Sequence, residues 1–251
     1  MSNYKGIILA GGRGTRLHPL TEVVSKQLLP VYDMPMIFYP IEILVKAEIK
    51  DILIITNPEE KEIFKRLVGN GSRYGCNIDY DVQPKPEGIA QAFLIASKWL
   101  NGSSATLILG DNIFLKGNIS NLLKNAIEKN IGSTIFAYQV DNPNRYGVIE
   151  IDNKGSIKSL EEKPDNPKSN WAVTGLYVYD SNVVKEAKTL IPSNRNELEI
   201  TALNNIYIEK NIMEVVLLPK ESYWLDAGTK DSLLDASNLV RKLKNSEKNI
   251  F

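Results

Sequence analysis

Short continuous apolar runs alternate with stretches of helical periodicity in the first half of the chain. The apolar runs predict strands at residues 7–10, 52–55, 105–109 and 133–140. The periodic stretches predict three helices, which begin at Pro35, at Pro58 and near Ile89, the last two ending at Gly69 and Gly102. Continuous apolar runs are typical of parallel strands buried on both faces, so the pattern predicts a Rossmann-like, doubly wound α/β sheet.

The second half of the chain has a less regular order of elements. Strands are predicted at residues 148–151, 157–160, 176–179 and 215–218. Helices are predicted at residues 183–190, 198–209 and 232–244. No repeat, low-complexity linker or clean boundary divides the sequence. We therefore expect one domain over residues 1–251, in which the second half builds the wall of a cleft.

Composition limits the classes of partner that the chain can have. Its 251 residues include 30 basic and 30 acidic side chains, so no overall field attracts nucleic acid or an anionic membrane. The one cysteine, Cys76, excludes an intramolecular disulfide. No apolar run approaches the ~20 residues of a membrane span, and the run at residues 6–10 is too short for a signal peptide. We expect a cytoplasmic protein with no nucleic-acid or membrane partner, in which any phosphate binding is local.

A glycine-rich segment, Gly-Gly-Arg-Gly-Thr-Arg at residues 11–16, follows the first predicted strand directly. Glycines let backbone N–H groups approach a phosphate chain, and Arg13 and Arg16 add fixed positive charge. A P-loop is excluded because the chain contains no Gly-Lys pair. Two alternatives stay open. One is a tight turn without a ligand; the other is a dinucleotide fingerprint, which Asp33 favours and Leu17, in place of a small residue, opposes.

This segment is the first of an ordered set of motifs that runs from about residue 4 to about residue 240. The motifs are GGRGTRL at 11–17, PLT at 19–21, SKQLLP at 25–30, QP at 83–84 with EGIAQAF at 87–93, LGDNIF at 109–114, RYGV at 145–148, EEKP at 161–164, VTGLY at 173–177, ELEIT at 197–201 and WLDAGT at 224–229. The early motifs resemble the signature of nucleoside-diphosphate-sugar pyrophosphorylases. The full set resembles the glucose-1-phosphate thymidylyltransferases among them.

The resemblance implies a mixed sheet of nucleotidyltransferase type, with a nucleotide-binding part at about 1–115 and a sugar-binding, closing part at about 116–251. It implies attack by a phosphate oxygen of glucose 1-phosphate on the α-phosphorus of dTTP, which gives dTDP-glucose and pyrophosphate. It also implies Mg²⁺ as cofactor and a homo-oligomer, either a dimer or a tetramer. Such a transfer depends on positioning and charge neutralisation rather than on a protein nucleophile.

The resemblance also implies a role for individual residues. The catalytic residues are implied to be Arg16, Lys26, Asp111 and Asp226, of which Asp111 and Asp226 hold the metal. The nucleotide is implied to contact Leu9, Gly11, Gly12, Arg13, Gly14, Thr15, Arg16, Gln27, Gln83, Pro84, Gly88 and Asp111. The sugar phosphate is implied to contact Asn112, Tyr146, Gly147, Glu162, Lys163, Val173, Gly175, Tyr177, Arg195 and Trp224. Gln83 has an amide donor and an acceptor, so we expect it to read a thymine or uracil edge with the backbone of Gly88.

The chain departs from the family pattern at a few positions. Met34, Asn196 and Ala202 stand where lysine, glycine and aspartate are usual, and the last two are near Arg195 in sequence. The sequence ends near residue 251, as in the shorter members of the family. We therefore expect no feedback inhibition through the regulatory nucleotide site of the longer members.

Three alternative functions stay open. The first is a uridylyltransferase, or a sugar-1-phosphate nucleotidyltransferase of relaxed specificity. The second is a sugar-nucleotide-dependent glycosyltransferase that holds a metal on Asp79 and Asp81, although the alternation at residues 78–82 predicts a strand with solvated carboxylates. The third is a non-catalytic regulator that binds a sugar nucleotide. The intact set of Arg16, Lys26 and Asp226 argues against the second and third.

Overall fold

The computed structural model describes residues 4–12, 14–153 and 155–246. Its strands are β1 (Tyr4–Ala10), β2 (Pro30–Val31), β3 (Met34–Pro35), β4 (Asp51–Thr56), β5 (Asn77–Val82), β6 (Ser104–Leu109), β7 (Asn112–Leu115), β8 (Ser133–Gln139), β9 (Gly147–Ile151), β10 (Ile157–Glu162), β11 (Trp171–Tyr179), β12 (Met213–Leu217) and β13 (Tyr223–Asp226). Its helices are α1 (Phe38–Lys46), α2 (Lys61–Val68), α3 (Gln91–Ile95), α4 (Ser97–Leu100), α5 (Ile119–Lys129), α6 (Val183–Ala187), α7 (Ile200–Glu209) and α8 (Lys230–Ser246). Arg13, a predicted nucleotide ligand, lies outside the described residues.

A nine-stranded sheet forms the centre of the molecule, and its main path has the order β10-β9-β11-β6-β1-β4-β5. β1 is parallel to both β4 and β6, so Leu9 is level with Ile55 and with Leu109. β11 is antiparallel to β6 and β8, and β12 pairs with β8 in parallel. The strands from the first half of the chain, β1, β4, β5 and β6, are thus parallel, and β11 is antiparallel to its neighbours. This confirms the predicted mixed, Rossmann-like sheet.

The faces of this sheet are covered by two apolar layers. Ile8 on β1 packs in the layer that includes Leu123 of α5, and its neighbour Ile7 packs in the layer of Phe93 and Leu203 from α3 and α7. Both isoleucines are fully buried because successive strand residues point to opposite faces. Burying one such side chain contributes about 1.5–3 kcal/mol, which explains why the parallel strands are continuously apolar.

Some element boundaries differ from the sequence-based predictions. The helix predicted to begin at Pro35 begins at Phe38, because Pro35 pairs with Pro30 in the short β2–β3 ribbon. The strand predicted at residues 176–179 begins at Trp171, since its first part pairs with β8. Helix α5 and strands β7 and β13 were not predicted, although α5 carries a clear apolar stripe of Ile119, Leu123, Ala126 and Ile127. Across the described ranges, no helix is long and apolar enough to span a membrane.

Candidate active site

The carboxyl ends of β1, β5 and β6 open onto one cavity of about 470 Å³, as is usual for ligand sites in open α/β sheets. Both halves of the chain line it. The predicted site residues on its walls are Leu9, Gly12, Arg16, Lys26, Gln27, Gln83, Gly88, Asp111, Asn112, Tyr146, Gly147, Glu162, Lys163, Val173, Gly175, Tyr177, Arg195, Trp224 and Asp226. The predicted residues Gly11, Gly14, Thr15 and Pro84 do not line it. The structure therefore gathers most of the predicted side chains around one space.

The glycine-rich segment turns sharply at the end of β1. A Cβ on Gly11 would collide with Oε1 of Gln83, so the two are in close contact. Gly14 has a positive φ of 63°, which glycine adopts without strain, and it begins the short turn that carries Arg16. A Cβ on Gly228 would lie 2.8 Å from Nη2 of Arg16 and 3.0 Å from Oδ1 of Asp226. The guanidinium of Arg16 and the carboxylate of Asp226 therefore border the same narrow space.

Asp111 and Asp226 are brought together by a separate antiparallel ribbon of β7 and β13. In this ribbon Asp226 lies opposite Asn112, and the backbone N–H of Ala227 donates to the carbonyl of Asp111 at 3.2 Å. Lys26 Nζ donates to Oδ2 of Asp111, and Asn112 Nδ2 donates to Oδ1 at 3.2 Å. Both carboxylate oxygens of Asp111 are thus held in place.

The two carboxyl groups have opposite electrostatic environments. Burial raises the pKa of Asp111, but the Lys26 charge and the hydrogen bonds from Lys26 and Asn112 together hold that pKa below its usual value. Burial and the charge of Asp111 raise the pKa of Asp226. Because two adjacent buried carboxylates repel each other, a divalent cation between them would be favourable.

The donor chemistry fits a divalent cation. Within the part of the chain that the structure describes, no group of three or more His, Cys, Asp or Glu residues could form a closed metal cage. A site of two carboxylates is open, and the remaining ligands would be phosphate oxygens and water. This is the pattern of metal sites that bind their ion together with a phosphorylated substrate.

A second charged group lies at the end of β10. Glu162 accepts a hydrogen bond from Thr201 Oγ1 at 2.6 Å and lies 3.2 Å from Nζ of Lys163 and 3.4 Å from Nη2 of Arg195. The Arg195 guanidinium also donates to both carboxylate oxygens of Glu199 at 2.9 Å. This end of the cavity therefore presents two cations, Lys163 and Arg195, among several carboxylates.

Asn112 joins the two ends of the cavity. Its Oδ1 accepts hydrogen bonds from the Gly175 backbone N–H at 2.9 Å and from Trp224 Nε1 at 2.6 Å. The Trp224 ring lies 5.0 Å from the ring of Tyr146. The Asn112 amide oxygen thus accepts from Gly175 and Trp224, while its NH₂ group donates to Asp111. These hydrogen bonds fix the position of Trp224 relative to Asp111.

Sequence reasoning missed several residues that line the cavity, namely Pro86, Ile89, Leu109, Arg145, Thr174, Glu197, Glu199, Ile200 and Thr201. Most lie inside the quoted motifs, so the motifs were a sufficient signal for them. Arg145 is the one cation among them. Burial raises the pKa of the Tyr146 hydroxyl, while the charges of Arg145 and Arg16 oppose that shift. Arg145 therefore adds to the positive field on the side of Arg16.

Asp79 and Asp81, the alternative metal pair, are on the edge strand β5 and do not line the cavity. Oδ2 of Asp79 accepts a hydrogen bond from Trp99 Nε1 at 2.8 Å, and Oδ1 of Asp81 accepts one from the Val82 N–H at 2.8 Å. The predicted strand at residues 78–82 is confirmed. The glycosyltransferase alternative loses its metal site, because these carboxylates are away from the cleft.

A mixed sheet whose parallel strands end on a cleft with an acidic pair and several cations is suited to the transfer of a nucleotidyl group. Residues 5–242 match the family model described as nucleotidyl transferase, and the chain belongs to that family. It is 52% identical over 241 residues to the glucose-1-phosphate thymidylyltransferase of Neisseria meningitidis serogroup A, a match that covers 96% of this chain and 84% of the relative. It is 51% identical over 240 residues to the enzyme of the same name from Mycolicibacterium smegmatis, with 96% and 83% covered.

Solved structures agree with this family. A Bacillus anthracis protein assigned as a glucose-1-phosphate thymidylyltransferase, crystallised with sucrose, is 42% identical with a TM-score of 0.87, and 95% of each chain is covered. A UDP-glucose pyrophosphorylase complexed with UDP-glucose shares the fold at 24% identity, with a TM-score of 0.82 over 97% of this chain and 100% of that chain. The resemblance inferred from the motifs is confirmed.

Proposed function

We propose that this protein transfers a thymidylyl group from dTTP to glucose 1-phosphate, forming dTDP-glucose and pyrophosphate with Mg²⁺ as cofactor. The observation that carries the proposal is the pairing of Asp111 with Asp226 beside Arg16 and Lys26, across one cavity from Glu162. Two polyanionic substrates need a site that neutralises charge at both of its ends. The high identity to relatives named for this reaction supports the choice of substrates.

The nucleotide end has the groups needed for a triphosphate. Arg16 and the glycine-rich segment bind the β- and γ-phosphates, and Lys26 binds the α-phosphate, where negative charge increases during the transfer. A Mg²⁺ ion held by Asp111 and Asp226 supplies further charge neutralisation when it is bound. The protein's own part is to hold the phosphates in line and to exclude competing water.

The sugar end has complementary chemistry. Lys163 and Arg195 bind the phosphate of glucose 1-phosphate, while Glu162 accepts hydrogen bonds from sugar hydroxyls. Gln83 and the backbone of Gly88 bind the thymine base at the opposite side of the cavity. Because residues from both halves line one cavity, we propose that they act as a single catalytic domain.

A pyrophosphate-release assay tests the reaction class. With Mg²⁺, dTTP and glucose 1-phosphate, we expect pyrophosphate and dTDP-glucose in equal amounts, and the reverse reaction when pyrophosphate is added to dTDP-glucose. Omission of the sugar phosphate and chelation of the metal are the controls. UTP in place of dTTP distinguishes a uridylyltransferase. If no pair of nucleoside triphosphate and sugar 1-phosphate releases pyrophosphate, the proposed function is wrong.

A substitution at Lys163 tests the assignment of the sugar end. A charge-assisted contact to phosphate contributes about 1.5–3 kcal/mol, so Lys163→Ala should raise KM for glucose 1-phosphate roughly ten- to a hundredfold. KM for dTTP should change far less. Lys168→Ala is a matched control, because Lys168 pairs with Glu161 outside the cavity. A larger effect on dTTP than on the sugar phosphate would mean that the two ends are assigned in reverse.

A further inference from the structure

A chain of three polar side chains leads from the cavity wall, where Gln83 lies, to the protein surface. Gln83 Nε2 donates to Oε1 of Gln91 at 2.6 Å, and Gln91 Nε2 donates to Oε2 of Glu87 at 2.7 Å. Gln83 Nε2 also lies 3.3 Å from the carbonyl oxygen of Gly88. Gln83 is 4% exposed, while Glu87 is at the surface. The chain therefore connects a buried amide to an exposed carboxylate.

The carboxylate and the backbone N–H of Glu87 together determine the direction of the hydrogen bonds in this chain, because that N–H donates to Oε1 of Gln91 at 3.4 Å. A carboxylate only accepts hydrogen bonds, so Gln91 turns its NH₂ group toward Glu87 and its oxygen toward Gln83. Gln83 must then use its own NH₂ group as the donor, a choice that the Gly88 carbonyl reinforces. The opposite orientation of the Gln83 amide would place two oxygens against each other. Oε1 of Gln83 consequently lies beside Gly11, at the end of β1, and Gln83 itself lines the cavity.

We propose that Gln91 is a positioning residue for base selection, because it makes Gln83 present an acceptor and not a donor to the incoming base. Thymine and uracil carry an N3–H donor that matches this acceptor. Cytosine has a bare N3 lone pair, which would face the oxygen of Gln83 and repel it. The inference rests on the proposed dTTP site and adds to it the discrimination between keto and amino pyrimidines.

The test compares dUTP with dCTP, because these nucleotides differ only at the edge that Gln83 is proposed to read. In Gln91→Leu the Gln83 amide can rotate and offer its NH₂ group to cytosine. We expect the ratio of kcat/KM for dUTP to kcat/KM for dCTP to fall about tenfold, as the loss of one oriented hydrogen bond predicts. The ratio does not depend on the fraction of folded enzyme. Gln139→Leu, at an exposed position away from the cavity, is the control and should leave the ratio unchanged.

A paired exchange separates positioning from simple packing. In the double variant Glu87→Gln with Gln91→Glu, the carboxylate at position 91 still accepts from Gln83, and the amide at position 87 donates to that carboxylate. We expect the double variant to recover most of the discrimination. Gln91→Glu alone, which places two carboxylates side by side, should have lower activity than the double variant. If Gln91 only filled space, moving the carboxylate from position 87 to position 91 would not restore the discrimination between dUTP and dCTP.

The outcomes are distinguishable from failure of the proposed function. If the parent protein releases pyrophosphate with dTTP and Gln91→Leu keeps the parent dUTP/dCTP ratio, the positioning role is overturned and thymidylyl transfer stands. A parent that uses dCTP as readily as dUTP also overturns it. A double variant that discriminates no better than Gln91→Leu overturns the argument from bond direction. A fall in the ratio for Gln91→Leu with recovery in the double variant supports the proposal.

Discussion

Replacement of either Asp111 or Asp226 by asparagine is expected to lower kcat by about a thousandfold, because charge stabilisation by a bound metal contributes several kcal/mol to the barrier. Asparagine keeps the size of the side chain and removes the charge that attracts the cation. Asp111→Asn also deprives Lys26 of its partner. The measurement is kcat as a function of Mg²⁺ concentration in each variant. Asp81→Asn is the control, because Asp81 is on the sheet edge outside the cavity.

The pH dependence of metal activation provides a second readout of the same pair. Burial and Asp111 raise the pKa of Asp226, so its carboxyl group is ionised above that pKa and protonated below it. A proton and the cation compete for the ionised form. The Mg²⁺ concentration for half-maximal activity should therefore rise as the pH falls toward the raised pKa of Asp226. Full activity of Asp226→Asn at low Mg²⁺ would show that Asp226 is not a ligand of the metal.

The second large effect is expected for Lys26→Ala, which should lower kcat by about a hundred- to a thousandfold, as the loss of one preorganised electrostatic group typically does. Lys26 contacts Asp111 and lines the cavity in which the α-phosphate is proposed to bind, and charge on that phosphate increases most in the transition state. Its removal should change kcat more than either KM. Steady-state kinetics at saturating concentrations of both substrates measure this effect.

Lys163→Ala provides the contrast for this result, because its expected effect is on KM for the sugar phosphate. If Lys26→Ala changed only the KM for dTTP and left kcat intact, Lys26 would be a ground-state ligand of the nucleotide. Lys26→Arg tests whether charge alone is sufficient. The planar guanidinium cannot occupy the position of a compact ammonium, so we expect Lys26→Arg to recover only part of the activity.

The parallel part of the sheet could be predicted from the sequence because its strands are buried on both faces. Ile7 and Ile8 belong to different apolar layers, so the run is apolar throughout and is readily recognised. The ribbon of β7 and β13 could not be predicted in the same way. Each strand has 4 residues, and their pairing depends on contacts between segments far apart in the chain. Such short strands have no periodicity of their own.

The candidate site could be predicted as a set of residues but not as a set of contacts. The motifs predict that Lys26, Asp111 and Asp226 belong to the site. They do not indicate that the Lys26 ammonium donates a hydrogen bond to Asp111. The role of Gln91 was also hidden, because it depends on the simultaneous orientation of two neighbouring side chains. Side-chain orientation in a cavity is decided by all the elements around it, and a linear sequence does not contain that information directly.

The β7–β13 ribbon also has a consequence for the protein during its synthesis on the ribosome. β1, β4, β5 and β6, together with Lys26 and Asp111, are translated before residue 116, whereas Asp226 is added much later. An unfinished chain can pair Lys26 with Asp111 but holds only one of the two carboxylates. Since N-terminal segments generally fold first during translation, the nascent protein passes through a stage that lacks the acidic pair. The acidic pair is completed only when Asp226 has been added to the growing chain.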